Sequence, residues 1–323
     1  MSTILSIAVL AAQIIAAIPD AQIRFKPVYL SSQQDAGSKL SAPAAIAVAR
    51  SGNIYVFDDG NSRVVKLDSR GKFVAAFGQP GSGRDAIERA GLNDSIAVDE
   101  NENVYVSDPA TPKVLIFSSD GTFQRSFRVP FSMASIAVNS KHEIFLTADT
   151  SRSTELIYVF SETGQFLRRF GERLIKSPGS LARNINVAVA ACDANDNLFI
   201  AFRSWPILRK YSPDGKLISE NQFKIPAELV KEPQRQYYSL EFFDKYPESS
   251  FMPPLITHSI SISAHGTGYL LLNAHSIVVF SPAGKVTKQF RFRAPRDREN
   301  VFIRLAATYL LDTRSGEIYK ASL

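Results

Sequence analysis

The sequence predicts an all-β fold, a six-bladed β-propeller of four-stranded antiparallel blades. It is closed by pairing of the N-terminal strand with the last blade. Three observations carry the prediction. A block of sequence recurs at an offset of 50 without a gap, each copy holds four short apolar runs, and the last copy is one run short while an unassigned run stands near the start.

The offset aligns Ile46-Ala47-Val48 with Ile96-Ala97-Val98 and Ile54-Tyr55-Val56 with Val104-Tyr105-Val106. It continues through Asp58 with Asp108, Arg63 with Lys113, Gly71 with Gly121 and Phe77 with Phe127. Further copies follow at Ile136-Ala137-Val138, Val187-Ala188-Val189 and Ile260-Ser261-Ile262, and a partial one runs from Phe302. Runs of three to five residues rich in Val, Ile, Tyr and Phe, separated by Gly, Asn, Asp and Ser, read as strands. Four antiparallel strands in a unit of about 45 residues, radially repeated, is a propeller pattern. Asp120-Gly121 and Asp214-Gly215 predict two-residue type I′ hairpins. The sixth copy lacks an outer strand, and Gln22 to Leu30 (QIRFKPVYL) can supply it, leaving no open sheet edge at the seam.

The string IAVARSGNIYVFDDGNSRVVKLDSRGKFVAAFG, Ile46 to Gly78, resembles an NHL repeat, and the second copy follows it closely. Later copies drift, with His142-Glu143 in place of Gly-Asn. The resemblance spans roughly residues 43 to 323 and implies the six-bladed architecture. It says little about activity, because NHL propellers include RNA-binding modules, a lyase and exported proteins.

Composition narrows the function classes. The chain has 323 residues, a net charge of +6 and one cysteine, Cys192, which excludes an intrachain disulfide and a CxxC centre. Ile4 to Ile18 is apolar apart from Ser6 and Gln13 and too short to span a bilayer comfortably. Residues 1–21 therefore read as a signal peptide or an N-terminal anchor, and 22–323 as the propeller. The expected location is periplasmic or secreted, with membrane anchoring if the segment is retained. A monomer is expected, and nucleic acid is not an expected partner.

In a propeller the loops joining strands 1–2 and 3–4 of each blade share one face. The 2–3 loops and the blade-to-blade connections share the other. Nearly all insertions fall in the second set, at Gln79 to Asp94, Gly171 to Asn186, Gln222 to His258 and Arg291 to Asn300. Long loops on a compact scaffold carry function. The largest, an inserted loop at 222–258, holds Tyr237 and Tyr238 beside Arg235, and Ala227 to Tyr246 has room for one or two helical turns over the channel mouth. Aromatic faces and a planar guanidinium suit a sugar or a peptide side chain. Candidate ligand-binding residues are Trp205, Tyr237, Tyr238, Arg203, Arg235, His258, Arg291 and Arg293. Aromatic anchoring of the loop and a solvated arginine edge are the plainer readings of the same residues. Asp58, Asp59, Asp108, Asp149 and Asp312 recur with the repeat, which marks them as turn caps completed by Asn61 and Arg63.

The expected function is an exported, non-catalytic propeller that binds a peptide, glycan or protein partner on its loop-rich face, without a cofactor. The alternative is a metal-dependent hydrolase or lyase at the central channel mouth. The NHL lyase type depends on channel histidines that hold zinc. Here His142 and His265 fall in 1–2 turns, whereas His258 and His275 fall on the opposite face, so three cannot readily converge. For a lactonase-like site, Asn93, Asp94, Asn184 and Asn186 are the candidate ligands, with no glutamate to complete them. No GxSxG, HExxH or phosphate-binding glycine loop is present.

Overall fold

The computed structural model describes residues 24–88, 95–108, 110–149, 155–176, 184–225, 240–246, 254–272, 276–292, 303–306 and 308–322. These residues form six four-stranded antiparallel blades. Blade one is β2 (Ala45–Val48), β3 (Ile54–Asp58), β4 (Arg63–Leu67) and β5 (Phe73–Phe77), with a short parallel pair after it, β6 (Gln79–Pro80) and β7 (Ala86–Ile87). Blade two is β8 (Ser95–Val98), β9 (Val104–Asp108), β10 (Lys113–Phe117) and β11 (Phe123–Arg128). Blade three is β12 (Ser132–Val138), β13 (Ile144–Asp149), β14 (Glu155–Phe160) and β15 (Phe166–Glu172). Blade four is β16 (Ala188–Cys192), β17 (Leu198–Phe202), β18 (Ile207–Tyr211) and β19 (Leu217–Gln222). A helix, α1 (Leu240–Lys245), lies in the connection to blade five, which is β20 (Thr257–Ile262), β21 (Gly268–Leu272), β22 (Ser276–Phe280) and β23 (Val286–Arg291).

Blade six combines both ends of the described chain. From the axis outward it is β24 (Ile303–Ala306), β25 (Tyr309–Asp312), β26 (Glu317–Ser322) and β1 (Arg24–Tyr29). β1 pairs antiparallel with β26, Arg24 opposite Ser322 and Pro27 opposite Tyr319, as the unassigned run predicts. Each inner strand packs beside the next, and β24 packs beside β2, so the ring is closed.

Residues two apart point to the same side of a strand, and in a blade both sides are interior. Ile54 and Val56 join the core against blade six, whereas Tyr55 and Phe57 join the core against blade two. Leu198, Ile200 and Phe202 face blade three, and Phe199 and Ala201 face blade five. The second strands therefore read as continuous apolar runs rather than alternating ones. Each of the six described core clusters sits between two successive blades.

The 3–4 turns correct one expectation. Gly121 has φ of 90° while Asp120 is not among the positive-φ residues, so the type I′ geometry does not form. Instead Gly121 N–H donates to the Ser118 carbonyl and Ser118 N–H donates to that of Thr122, each at 2.9 Å. This is a three-residue loop whose last member is left-handed, and the ladder shifts register between Ile116 and Phe117. The glycine is also needed for space, because a Cβ there would lie 2.6 Å from the Phe77 ring of blade one. Gly71 in blade one meets β1 instead, and a Cβ on it would lie 2.0 Å from the Val28 carbonyl oxygen.

Of the recurring aspartates, Asp108 and Asp312 cap turns as expected, Asp58 takes its partners from two side chains and an incoming amide instead, and the Asp149 side chain lies outside those described. Buried Asp58 accepts hydrogen bonds from Ser41 N–H (2.6 Å), Asn61 Nδ2 (2.8 Å) and Arg63 Nε (2.9 Å). Asp108 accepts from the Ala110 and Thr111 amides and the Thr111 hydroxyl, and Asp312 from the Arg314 and Ser315 amides. Asp58 and Asp108 also hold the connection entering their blade, through Ser41 and Glu88.

Candidate functional site

The six inner strands all begin at the loop-rich face, so their first residues ring one mouth of the central channel. Four of them, β2, β8, β16 and β24, pair with their neighbours without a register shift. The other two are bulged at that end. β12 shifts between Met133 and Ser135, leaving Ala134 as the extra residue, and β20 shifts between Thr257 and Ser259, leaving His258. A bulge re-aims a side chain and bends a strand, and bulges concentrate beside functional sites. Both extra residues line the same small cavity, about 90 Å³, with Arg203 and Ser95.

Arg203 follows β17, where a 2–3 loop returns to the loop-rich face. Its backbone joins two blades: its N–H donates to the Val187 carbonyl (2.8 Å), and its carbonyl accepts from Ile256 (2.6 Å) and Thr257 (3.0 Å). Burial lowers the guanidinium pKa from its ordinary value, because desolvation penalises the charge. Two serines stitch the mouth. Ser95 Oγ accepts from Ile136 N–H (3.3 Å) and Ser135 Oγ from Ala190 N–H (3.1 Å), each bridging one inner strand to the next. A hydroxyl that accepts still carries its own O–H donor.

The opposite mouth has another character. Its cavity of about 310 Å³ is lined by Asp99, Glu100, Asp193 and Asp196, with Arg50 as its one Lys or Arg. Two of these carboxylates are committed to turns. Asp99 accepts from the Asn101 and Asn103 amides and Tyr105 Oη and lies 2.9 Å from His142 Nδ1; Asp193 accepts from the Asn195 and Asn197 amides. Burial, followed by Asp196, Asp193 and Glu143, pushes the Cys192 thiol well up, which disfavours the thiolate. Among the described residues no three His, Cys, Asp or Glu side chains group as a metal would require.

That plain face is knitted from blade to blade. The left-handed position of the 1–2 turn is Gly52 in blade one and Gly266 in blade five, but Glu102, His142 and Asp196 in blades two to four, at φ of 60°, 57° and 61°. Each of the three reaches back to the preceding blade: Glu102 to Asn53 and Tyr55, His142 to Asp99, and Asp196 to Ser140. Cations reach forward to the next blade's 3–4 turn, Lys66 to the Ser119 carbonyl (2.8 Å), Arg168 to Pro213 (2.6 Å) and Lys210 to Pro282 (2.7 Å). The alignment of Gly52 with Glu102 at the repeat offset is the sequence signal for this network.

The structure sorts the residues named from the sequence. Arg203 and His258 come together at the channel mouth. Trp205 does not join them; it is buried in the core between blades three and four with Phe202 and Tyr211. Three residues past the end of β17, the indole packs into that core. Arg291 ends β23 with an exposed side chain beside buried Phe292, as strand alternation requires. Tyr237, Tyr238, Arg235 and Arg293 lie outside the described residues, as do residues 1–21, His275, Asn93 and Asp94. Asn186 is structural: its side chain accepts from Leu174 N–H (2.7 Å) and donates to the Ile175 carbonyl (2.9 Å). Helix α1 supplies a turn and a half of the helix expected in the inserted loop, and its Leu240 packs on the blade three–four core.

Comparison with known proteins agrees with this architecture. A family described as a 6-bladed beta-propeller matches residues 38–146. The chain is a six-bladed β-propeller. A search of curated proteins gives no match. Among solved structures, the propeller resembles a Bacteroides fragilis protein assigned as exported, at 13% identity and a TM-score of 0.63, covering 94% of this chain and 96% of that one. It also resembles virginiamycin B lyase from Staphylococcus aureus, at 14% identity and a TM-score of 0.55, covering 94% and 100%. A streptogramin B lyase is similar at 12% identity and a TM-score of 0.57, covering 93% and 98%. Identities this low bear on the fold alone. Among the described residues no helix is long and apolar enough to cross a membrane.

Proposed function

We propose that this protein is an exported binding propeller of the NHL type that engages a peptide, glycan or protein partner on its loop-rich face, with the channel mouth at the centre of the contact. The observation that carries the reading is the convergence of Arg203 and bulged His258 on one cavity at that mouth. The opposite face spends its polar side chains on joining blades. Rigid scaffolds place binding groups on loops above them, and here the longer connections open on the side where Arg203 and His258 lie. The apolar stretch Ile4 to Ile18 and the likeness to a protein assigned as exported support export.

The test replaces residues 226–253 with a short Gly/Ser linker and measures binding of a peptide pool and a uronate-containing glycan panel. Loss of binding with the blades intact by circular dichroism supports the reading, and unchanged binding overturns it. A hydrolase or lyase at the same mouth is the rival, favoured by the shared fold of the streptogramin lyases. Stoichiometric zinc or calcium in the purified protein would move the assignment to that rival.

A further inference from the structure

We infer that the plain face docks on an anionic phospholipid bilayer along the rim of blades five, six and one, where the N-terminal apolar stretch joins the ring. Topology sets the place of that junction. Inner strands run from the loop-rich mouth to the plain one, and in an antiparallel blade the third strand runs the same way. β26 is the third strand of blade six, so it ends at Ser322 on the plain side. Arg24 lies opposite Ser322, and β1 therefore begins on that side. Ile18 precedes Arg24 by six Cα steps, at most about 20 Å of extended chain. A membrane that takes up Ile4 to Ile18 meets the plain face at the seam.

Charge is distributed to match. In the 3–4 turns the residue after the left-handed glycine is Lys72 in blade one and Lys285 in blade five, both exposed, but Thr122 and Gln165 in blades two and three. Blade four has Lys216 beside Asp214. Exposed Arg50 and Arg70 in blade one, Lys26 in β1 and Lys288 in blade five extend the cationic arc. Thr257–Arg291 contains no Asp or Glu. In blade one, Asp68 spends its carboxylate on the Arg70 and Lys72 amides, at 2.9 Å each. The turns across the ring carry exposed Asp120 and Glu162 instead.

Lysines beside an anionic bilayer are attracted within about a Debye length, so this rim leans onto the lipid and the acidic rim of blades two and three lifts away. Val74, exposed two residues past Lys72, adds an apolar contact at the interface. Ile4 to Ile18 is shorter than the about 20 residues that cross a bilayer comfortably, and a weak apolar anchor joined to a basic patch holds where either alone is reversible. The junction at Arg24 favours a bilayer over a soluble polyanion. Docked this way, the protein turns its loop-rich face outward from the lipid.

Every strand of the ring lies within residues 24–322, so residues 22–323 test the rim without the apolar stretch. Sedimentation with vesicles of phosphatidylcholine, alone or mixed equally with phosphatidylglycerol, reads partitioning. Binding should require phosphatidylglycerol and weaken as salt rises. Lys72→Gln with Lys285→Gln should weaken it at least about tenfold, since each lysine at the surface contributes about fivefold. Lys141→Gln with Arg128→Gln removes equal charge from blades three and two and should change it by less than about twofold. Hydrogen exchange of the full chain in the mixed vesicles should protect β1 and the turns at 69–72 and 282–285, leaving the loop-rich turn Asp59–Asn61 as in solution. Equal partitioning into both vesicles, equal losses in the two double variants, or protection of Asp59–Asn61 overturns the inference. Binding of dextran sulfate without protection of β1 in vesicles overturns it too and assigns the rim to a soluble polyanion. The loop-face reading rests on other residues and stands or falls separately.

Discussion

Tyr55 of blade one donates a 2.6 Å hydrogen bond to the Glu102 carboxylate of blade two, and Glu102 does this from a left-handed backbone. Asn53 Nδ2 donates to the same carboxylate at 3.0 Å, and Lys66 Nζ lies 3.5 Å away. A side chain at a position that favours glycine is tolerated here because it ties two blades together. Left-handed backbone costs a non-glycine residue about 1–2 kcal/mol. Glu102→Ala keeps that cost and loses the contacts, and should destabilise by about 2 kcal/mol in urea unfolding. Glu102→Gly loses the contacts but relieves the backbone, so it should be the milder change by about 1 kcal/mol.

The same carboxylate makes stability depend on acid. Burial alone would raise its pKa, but hydrogen bonds from Asn53, Ser51 and Tyr55, with the charge of Lys66, outweigh it and hold the group at about 2. A depressed folded-state pKa means stabilisation that is complete above the unfolded value and lost as pH falls through the folded one. The stability advantage of the wild type over Glu102→Gln should therefore be full above about pH 5 and shrink towards pH 2. A gap that stays constant over that range in pH-dependent melting would contradict this.

Gly71 tests the seam. A methyl group there would press on the Val28 carbonyl at a φ of 85°. Gly71→Ala should cost at least about 2 kcal/mol and raise hydrogen exchange along β1 and β26 first. Gly37, where a Cβ would meet nothing within 4 Å, is the control, and Gly37→Ala should leave the melting temperature nearly unchanged.

Lys113 is buried and donates to the Gly83 carbonyl (2.7 Å) and the Ala86 carbonyl (2.5 Å), with Asp108 at 3.6 Å. Removing one member of a buried pair strands the other's charge and costs about 3 kcal/mol. Lys113→Met should show that loss in denaturant unfolding. Adding Asp108→Asn should recover part of it, and a double mutant no better than the single would sink the pairing argument.

The architecture was legible because the repeat carries its own physics. Gly121 recurs where Phe77 of the preceding blade leaves no room for a Cβ, and Asp58 and Asp108 recur where incoming chain must be held. The incomplete sixth copy also announced the role of β1. Turn type was not legible, because Asp-Gly is compatible with several loops and only the bulge at Phe117 decides between them. The site was half legible. Topology located Arg203 and His258 on one face, whereas nothing in the sequence marks the burial of Trp205 between blades three and four. The bulges at Ala134 and His258 left no mark in the sequence, since one extra residue in SMAS or ITHSI reads like any other strand residue.

The pairing of Arg24 with Ser322 has a consequence for biosynthesis. Blade six cannot assemble until the ribosome has delivered the final strand, so the nascent polypeptide emerges as an unfinished arc whose first segment waits for its mate. Contacts so distant along the chain close slowly, so the ring locks late in folding. A product cut short by even one strand would be left with a raw sheet margin, ready to join another such fragment.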